Sequence, residues 1–374
     1  MFLLNMANLS KKLIKLFSFI KNSKFLFSMP IKNDVLIFDK VHSEKIKTIL
    51  SYGKSPFILC QRGEEFYLPI LIKTLFQFKL TMKNYCEEVI NIVDPKIIIS
   101  CLDNDKLYFS IKKNKRSKKV LLQNAWRNEM YDTLLKDLKT REIKNFSMDY
   151  IFTFNKEIGK KFNKVAKARI IPIGSFKSNI MCVNKKKFKN IVFISNWGDK
   201  SQDKALVGNF LFKDFFKRQK QIFENVIFFA RKKKTNVHVL CKTSNPRETY
   251  LEKNFFLNNK HQLKNIKFCS EERKKFEVID KAEMIITLNS TLGYEAFSRK
   301  KKTIFFNLYD NKKTYKTANF AWPYKLKRNG FFWTDDLTEK NCYRYFEKIY
   351  NLKTSKWEKI YKKIYENIMI RDYN

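Results

Sequence analysis

The sequence predicts an α/β protein with two successive Rossmann-like domains, and four observations lead to this fold class. Short apolar runs recur along the chain, and spacers of helical length separate them. The runs are apolar at consecutive positions, which is typical of parallel strands that helices cover on both faces. The runs also form two consecutive arrays, each large enough for one sheet. At 374 residues, the chain has the length of two ordinary domains.

The two arrays give the predicted elements in order. The first array contains predicted strands at 35–39, 56–60, 96–101, 119–124, 150–154 and 170–175. Helical periodicity predicts two helices within this array, at 66–78 and 82–92. The second array contains predicted strands at 191–195, 237–241, 266–269, 284–288 and 303–307. The polar, Lys-rich stretch 184–190 between the arrays suits a linker.

These arrays predict an N-terminal domain at 30–180 and a C-terminal domain at 181–335. Tyr, Lys and Ile at helical spacing predict closing helices at 336–374. A basic segment at 1–29 precedes the first domain, and it lacks the long apolar region and cleavage site of a signal peptide. Two interpretations of this segment stay open. It is either an amphipathic segment lying on anionic lipid or a helix packed on the body of the protein.

Composition bounds the class of protein. Hydrophobic residues make up 44% and aromatic residues 16%, which rules out disorder of the whole chain. The mean hydropathy of -0.44 and the lack of a long uncharged apolar run argue against a membrane-spanning protein. Seven cysteines without a C-x-x-C pair, together with three dispersed histidines, indicate reduced thiols and no metal site.

The formal net charge is +41, from 77 Lys and Arg against 36 Asp and Glu. Such a charge suggests nucleic acid, an anionic membrane surface or a polyanionic substrate as partner. However, the Lys runs are scattered along the chain, and no nucleic-acid-binding motif accompanies them. Lys, Asn, Ile and Phe are also enriched together, as AT-rich coding would produce. This pattern favours a solvated basic surface over a dedicated nucleic-acid interface.

The segment 289–295, Asn-Ser-Thr-Leu-Gly-Tyr-Glu, is the strongest candidate ligand site. A predicted strand runs into a helix here, and ligands of open α/β sheets bind at such strand ends. Free backbone N–H groups and the helix dipole favour a phosphate, to which Ser290 and Thr291 can add hydroxyl donors. Gly293 allows close backbone approach, and Glu295 can accept hydrogen bonds from ribose hydroxyls. The alternative is that Ser290 only caps the helix and Glu295 only complements its dipole.

Several blocks of residues between positions 35 and 340 carry a family resemblance. They are 100–105, 122–127, 280–283, 290–296, 301–303, 320–323 and 330–333. On these blocks the sequence resembles bacterial surface carbohydrate or capsule polysaccharide biosynthesis proteins of the GT-B glycosyltransferase type. It is more loosely similar to CDP-glycerol glycerophosphotransferase-like enzymes. The family more often has Gly where Ala125 and Lys300 stand, and Lys300 therefore predicts a weaker helix C-cap.

The resemblance implies a GT-B-like fold with a ligand cleft between two Rossmann-like domains. It implies a metal-independent glycosyltransferase, or a related sugar- or polyol-phosphate transferase, which takes a nucleotide-sugar as substrate and needs no cofactor. The C-terminal domain would then bind this donor. The implied donor-binding residues are Ser290, Thr291, Gly293, Glu295, Lys242 and Asn196. For Lys242 a solvated surface role stays open, and for Asn196 a tight turn.

The resemblance also implies roles in the N-terminal domain. Asp103 or Asp105, at the end of a predicted strand, would take the proton of the acceptor hydroxyl. A capped Asp-Asn-Asp turn is the alternative for either residue. The implied acceptor-binding residues are Arg62, Asn124 and Arg127, although Arg62 can instead pair with a neighbouring glutamate.

The implied role is a cytoplasmic enzyme of surface polysaccharide assembly that acts on a glycan or lipid-linked acceptor. Its basic surface would hold it peripherally at the inner membrane face. No specific nucleic acid is expected as partner. Two alternatives stay open: a basic nucleic-acid-binding protein, and a catalytically silent GT-B-like protein that only binds its ligand.

Overall fold

The computed structural model describes residues 21–50, 55–60, 64–79, 81–127, 146–183, 189–200, 205–207, 210–257, 265–308 and 320–372. The chain forms two compact units. Unit 1 is drawn from Met1–Gln123, Thr140–Phe152 and Asn163–Ile170. Unit 2 is drawn from Asn124–Lys139, Thr153–Phe162 and Ile171–Asn374. Two short segments of the first half of the sequence are therefore counted with unit 2, whereas the sequence suggested one boundary near residue 180.

The strands are short. They are β1 (Lys24–Leu26), β2 (Val35–Phe38), β3 (Phe57–Leu59), β4 (Glu65–Tyr67), β5 (Ile97–Ser100), β6 (Lys118–Leu122), β7 (Ser147–Thr153), β8 (Lys167–Pro172), β9 (Asn190–Ile194), β10 (Ala205–Val207), β11 (Phe210–Leu211), β12 (Val237–Leu240), β13 (Ile266–Cys269), β14 (Ala282–Thr287), β15 (Thr303–Phe306) and β16 (Trp333–Thr334).

Helices fill most of the spacers between the strands. They are α1 (Ser43–Leu50), α2 (Leu68–Phe76), α3 (Met82–Val93), α4 (Lys106–Ser110), α5 (Lys156–Val165), α6 (Phe176–Asn179), α7 (Phe212–Lys232), α8 (Pro246–Leu257), α9 (Glu272–Lys281), α10 (Thr291–Ser298), α11 (Glu339–Tyr350), α12 (Thr354–Lys362) and α13 (Tyr365–Ile368). Among the residues described, no helix has both the length and the apolar character to cross a bilayer.

Two six-stranded sheets dominate the structure. Their strand orders are β3-β2-β5-β6-β7-β8 and β13-β12-β9-β14-β15-β16. Every pairing in the second sheet is parallel, and so are the pairings that join β3 to β7 in the first. The prediction of an α/β protein with two Rossmann-like domains is therefore confirmed. The first sheet lies in unit 1, except for the last residues of β7 and β8.

The second sheet shows why its strands are apolar at consecutive positions. On one face, the ring of Phe193 in β9 packs against Phe223 of α7 and Phe256 of α8, with centroid distances of 5.3 and 5.7 Å. On the other face, α9 and α10 contribute Ile279 and Ala296 to a buried cluster with strand residues such as Ile285. Because helices cover both faces, each side chain of the strand gains from being apolar.

The chain reverses its direction of travel across each sheet once. In the first sheet it moves from β2 to β3 at one edge and then returns to place β5 on the other side of β2. In the second sheet it moves from β9 through β12 to β13, and then returns to place β14 beside β9. Such topological switch points open a crevice at the carboxyl ends of the two central strands, where ligands bind in open α/β sheets.

Candidate functional site

The candidate site in unit 2 lies at the switch point between β9 and β14. The two strands are neighbours in register, with Ile194 opposite Thr287. The loop that contains Asn196 leaves β9 at this edge, and the segment that contains Ser290 leaves β14 beside it. Lys242 follows β12, the neighbour of β9 on its other side. Three parts of the predicted donor site therefore lie at adjacent strand ends.

Helix α10 begins at this edge with half-buried residues, some of whose hydrogen-bonding groups are unpaired. Ser290 is its N-cap residue by backbone geometry, with φ -90° and ψ 137°, but its hydroxyl makes no capping hydrogen bond. The backbone N–H groups of Gly293 and Tyr294 donate to the carbonyl of Ser290. The backbone N–H groups of Thr291 and Leu292 donate to no acceptor among the described residues. These two donors and the positive end of the helix dipole are suited to an anion.

Trp126, for which the sequence predicts no role, contacts the start of α10 at two points. Its backbone N–H donates to Oγ1 of Thr291 at 2.8 Å. Its indole stacks on the ring of Tyr294, with centroids 3.9 Å apart and an interplanar angle of 7°. The hydroxyl of Tyr294 donates to Oδ1 of Asn289 at 2.8 Å. These contacts join the strand end, the first turn of α10 and Trp126.

Gly293 has a packing reason to be glycine. A Cβ atom at this position would lie 2.5 Å from Cγ2 of Thr287 in β14, which is too close for any real contact. The helix therefore lies directly against the strand. Close approach of a ligand to Gly293 stays a prediction.

Glu295 is buried and already has partners within unit 2. The hydroxyl of Ser175 donates to its Oε1 at 2.5 Å, and the ammonium of Lys177 lies 3.9 Å from the same oxygen. The carboxylate thus ties the segment before α6 to α10. The predicted contact of Glu295 with ribose hydroxyls stays a prediction.

The loop after β9 is anchored by polar side chains from within unit 2. The backbone N–H of Asn196 donates to Oε1 of Gln219 at 2.7 Å, and that of Trp197 donates to Oγ of Ser195 at 3.0 Å. Oδ1 of Asn196 and Nε2 of Gln219 are buried, and neither has a hydrogen-bond partner in the described structure. Buried polar atoms of this kind usually pair with water or with a ligand.

Lys242 brings a cation to the same loop. A Cβ atom added to Gly198 would lie 3.3 Å from Nζ of Lys242. The ammonium therefore lies against the loop after β9. Lys242 is exposed as a residue, but desolvation of its ammonium by nearby protein atoms, together with the charge of Lys200, lowers its pKa. A cation in such surroundings gains from an anionic ligand, which would replace the water that it has lost.

Glu252 hydrogen-bonds to the backbone of Lys242. It lies in α8, it is fully buried, and its two carboxylate oxygens accept from the backbone N–H of Lys242 at 3.3 and 3.2 Å. Burial raises the pKa of Glu252 above its ordinary value. The sequence did not single out this residue, because a glutamate within a helix usually lies on the solvated face.

In unit 1, the predicted catalytic acids follow β5 at the first switch point. Asp103 is buried, whereas Asp105 caps α4, with its Oδ1 accepting from the N–H of Leu107 at 2.9 Å. Sequence reasoning missed Asp39, which follows β2, the neighbour of β5. Asp39 is buried, has φ 90° and accepts from the N–H of Val41 at 2.7 Å. Its left-handed backbone is a strained feature of the kind that concentrates at functional sites.

The predicted acceptor-binding residues are only partly described. Asn124 and Arg127 are half-buried and follow β6, and both are counted with unit 2. Arg62 lies outside the described residues. Their contacts with an acceptor stay predictions.

The chain is similar to several solved structures at low sequence identity. One is the UDP-GlcNAc 2-epimerase of Methanocaldococcus jannaschii in complex with UDP-GlcNAc and UDP, at 13% identity over 86% of this chain and 93% of that chain, with a TM-score of 0.47. Another is the wall teichoic acid polymerase TagF, at 12% identity over 90% of each chain, with a TM-score of 0.48. A third is the pneumococcal O-GlcNAc transferase GtfA with UDP and GlcNAc, at 12% identity over 77% of this chain and 57% of that chain, with a TM-score of 0.41.

Family comparison extends over most of the chain. No curated protein matches the sequence at a significant level. A family model described as "putative O-antigen biosynthesis protein" matches residues 120–374, which is more than half of the chain. The protein therefore belongs to this family of O-antigen biosynthesis proteins.

Proposed function

We propose that this protein is a GT-B-type glycosyltransferase, or a related sugar- or polyol-phosphate transferase, that uses a nucleotide-activated donor in surface polysaccharide assembly. The observation that carries the proposal is the start of α10 at the switch point between β9 and β14. The unpaired N–H groups of Thr291 and Leu292 can bind an anion here. The cation of Lys242 lies at the end of β12, on the other side of β9. Membership of an O-antigen biosynthesis family supplies the polysaccharide context.

The dimensions of this edge suit a diphosphate. Strands of a sheet lie about 4.8 Å apart, so the ends of β12 and β14, on either side of β9, are separated by roughly 10 Å. A Lys side chain extends over more than half of that distance. One phosphate at the N-terminus of α10 and a second phosphate toward Lys242 would fill the space. Both groups would then stabilise the charge that develops on a nucleoside diphosphate leaving group.

The orphaned polar atoms beside this position support a ligand with further hydrogen-bonding groups. Oδ1 of Asn196 can accept from a hydroxyl, and Nε2 of Gln219 can donate to a hydroxyl or carbonyl. A sugar or polyol carries both kinds of group. We assign Ser290, with its uncommitted hydroxyl, to the phosphate beside α10.

Asp103 is the residue that we assign as general base toward the acceptor hydroxyl. It follows β5 at the switch point of unit 1, and its burial separates its carboxylate from bulk water. Asp105 is the weaker candidate because its carboxylate already caps α4. The acceptor is a glycan or a lipid-linked glycan, and the enzyme acts at the cytoplasmic face of the membrane.

The test is a thermal-shift screen of nucleotides and nucleotide-sugars, followed by a turnover assay with the donor that stabilises the protein most. We expect at least one nucleoside diphosphate and its sugar conjugate to raise the Tm in a concentration-dependent manner, because a ligand that binds only the folded state stabilises it. Release of the nucleotide from that donor should then be measurable, if only as slow hydrolysis by water. A screen without any stabilising nucleotide would contradict the proposal.

The matched variants Asp103→Asn and Asp105→Asn separate catalysis from binding. We expect Asp103→Asn to keep the thermal shift and to lower nucleotide release by roughly a hundredfold or more, as loss of a general base does. Asp105→Asn should change both readouts little, because an asparagine oxygen also caps a helix. Nucleotide stabilisation without release in the unaltered protein would instead identify a silent binding protein.

A further inference from the structure

Helix α2 in unit 1 exposes most of its large apolar residues instead of burying them. Its buried residues are Ile70 and Thr74, of which one is polar. Its other face, together with the turn that follows, exposes four large apolar side chains, which we name the apolar tip: Ile72, Leu75, Phe76 and Phe78. Phe76 is 78% exposed and Phe78 is 99% exposed. A contiguous apolar cluster at the surface of a water-soluble domain marks an interaction surface.

The turn that carries Phe78 is well formed. The N–H of Phe78 donates to the carbonyl of Leu75 at 2.9 Å, and the N–H of Lys79 donates to that of Thr74 at 3.0 Å. These two bonds close the helix in the Schellman arrangement, with Phe78 at φ 53° in the position that favours glycine. An aromatic residue in the left-handed region costs free energy, and its ring gains no burial in return. Folding of the chain alone does not explain Phe78.

A second exposed apolar segment lies in the same unit. Strand β1 pairs with β4 in parallel, with Leu26 opposite Tyr67, and β4 runs directly into α2. The chain leaves β1 with Phe27, Met29 and Ile31 exposed. Two exposed apolar segments thus follow the two strands of one small sheet.

Basic residues outnumber acidic residues along these two segments. No Asp or Glu occurs between positions 66 and 86, whereas Lys73, Lys79 and Lys83 do. The first 33 residues of the chain contain six Lys and no acid. Lys73 and Lys83 pair with glutamates of α3, at 2.7 and 3.9 Å. Within the described structure, Lys79 has no acidic partner, and it directly follows the exposed ring of Phe78.

We propose that the apolar tip, together with Phe27, Met29 and Ile31, docks unit 1 onto an anionic lipid surface. Single protruding rings can enter a lipid interface without a complementary pocket, and flanking Lys side chains then contact the anionic headgroups. A second copy of the chain fits less well, because two molecules of net charge +41 repel each other. The proposal is independent of the donor site and concerns where the protein acts.

The experiment is cosedimentation of the full-length protein with vesicles of phosphatidylcholine alone or mixed with phosphatidylglycerol. We expect binding to the anionic vesicles only, decreasing as salt is added. The double variant Phe76→Ser/Phe78→Ser should weaken this binding by roughly tenfold or more, because two large apolar side chains are lost from the interface. Lys79→Gln should weaken it by roughly fivefold, the effect of one basic residue near an anionic surface.

Tyr250→Ser is the matched control, because Tyr250 is an exposed aromatic residue of α8 in unit 2. It should bind vesicles as the unaltered protein does. Equal binding by the double variant and by this control, with unchanged Tm for both, would overturn the proposal. So would a change of the oligomeric state in the double variant, measured by sedimentation velocity without lipid, if vesicle binding were unaffected.

Discussion

At the scale of single residues, Lys119 is the most unusual group in unit 1. It lies in β6 and is fully buried, with its ammonium donating to the carbonyls of Phe109 and Ile111 at 3.1 and 3.0 Å. The same nitrogen lies 5.3 Å from the ring centroid of Tyr108. Burial, and secondarily the charge of Lys113, lowers the pKa of Lys119 to about 7. Two carbonyls at the end of α4 are thus satisfied by a lysine whose pKa burial lowers far below its ordinary value.

This residue makes stability depend on pH in a defined direction. Between pH 7 and 10.5 the unfolded chain holds a proton on Lys119 that the folded chain has released. The free energy of unfolding should therefore rise with pH over this window, by an amount on the order of a few kcal/mol from this group. We expect denaturant unfolding of Lys119→Met to lack this part of the rise. The surface variant Lys340→Met serves as control, and identical slopes for both variants would refute the assignment.

The sequence predicted the positions of the site residues better than the contacts that each of them makes. The Asp-Asn-Asp pattern left two uses open, and the structure uses Asp105 as a helix cap. Trp126 and Thr291 are hydrogen-bonded across 165 positions of sequence, and no local pattern reports such a contact. Asp39 is recognisable only by its φ angle and burial, which depend on the packing of β2 against β5.

At the scale of elements, the C-terminus of α10 corrects the expectation of a weak cap. Lys300 has φ 62°, its N–H donates to the carbonyl of Phe297 at 2.8 Å, and the N–H of Lys301 donates to that of Ala296 at 3.2 Å. This is a complete Schellman cap built on a lysine. The indole of Trp357 donates to the carbonyl of Lys300 at 2.9 Å, which helps to hold the turn. The cost of the missing glycine is backbone strain, not a lost hydrogen bond.

Replacing this lysine with glycine should therefore stabilise the protein. Lys300→Gly removes left-handed backbone strain of about 1 to 2 kcal/mol from the folded state. Glycine also increases the conformational entropy of the unfolded chain, which offsets part of this gain. We expect a net gain of about 0.5 to 1 kcal/mol in the free energy of unfolding, measured by urea denaturation. Lys300→Ala also removes the charge but keeps the Cβ atom, so it should give no gain. A gain of the same size from both variants would show that charge, not backbone strain, is responsible.

The sequence predicted strands well where helices cover both faces of the sheet. The runs expected at 35–39, 96–101 and 237–241 are β2, β5 and β12, each within two residues of the observed ends. Their consecutive apolar residues follow directly from helices on both faces. The three-residue strands β1 and β4, and the pair β10 and β11, were not predicted. They are too short for periodicity to distinguish them from loops, and their pairing is decided by the chain around them.

At the scale of the whole molecule, the resemblance to surface-carbohydrate biosynthesis proteins is confirmed by membership of the O-antigen biosynthesis family. The sequence placed the predicted donor residues directly after strands, and the structure has Asn196, Lys242 and Ser290 after β9, β12 and β14; their contact with a ligand stays a prediction. The sequence could not predict that β9 and β14 form the switch point, since neighbours in the sheet are set by tertiary packing. That arrangement is what brings Asn196, Lys242 and Ser290 to one edge.

The central claim is that the first turn of α10 binds a phosphate of the donor through its backbone. The most direct measurement is the Kd of the stabilising nucleoside diphosphate, by titration calorimetry, for Thr291→Pro and Thr291→Val. Proline is compatible with the first helical position, and both variants lose the hydroxyl that accepts from Trp126. Only proline also removes the backbone N–H of residue 291.

A hydrogen bond to a charged group contributes about 1.5 to 3 kcal/mol, so Thr291→Pro should bind the nucleotide roughly tenfold or more weakly than Thr291→Val. Both variants should retain a Tm close to that of the unaltered protein without ligand, to within the small cost of the lost hydroxyl. Equal Kd values for the two variants would contradict the account, because the nucleotide would then bind without this backbone donor.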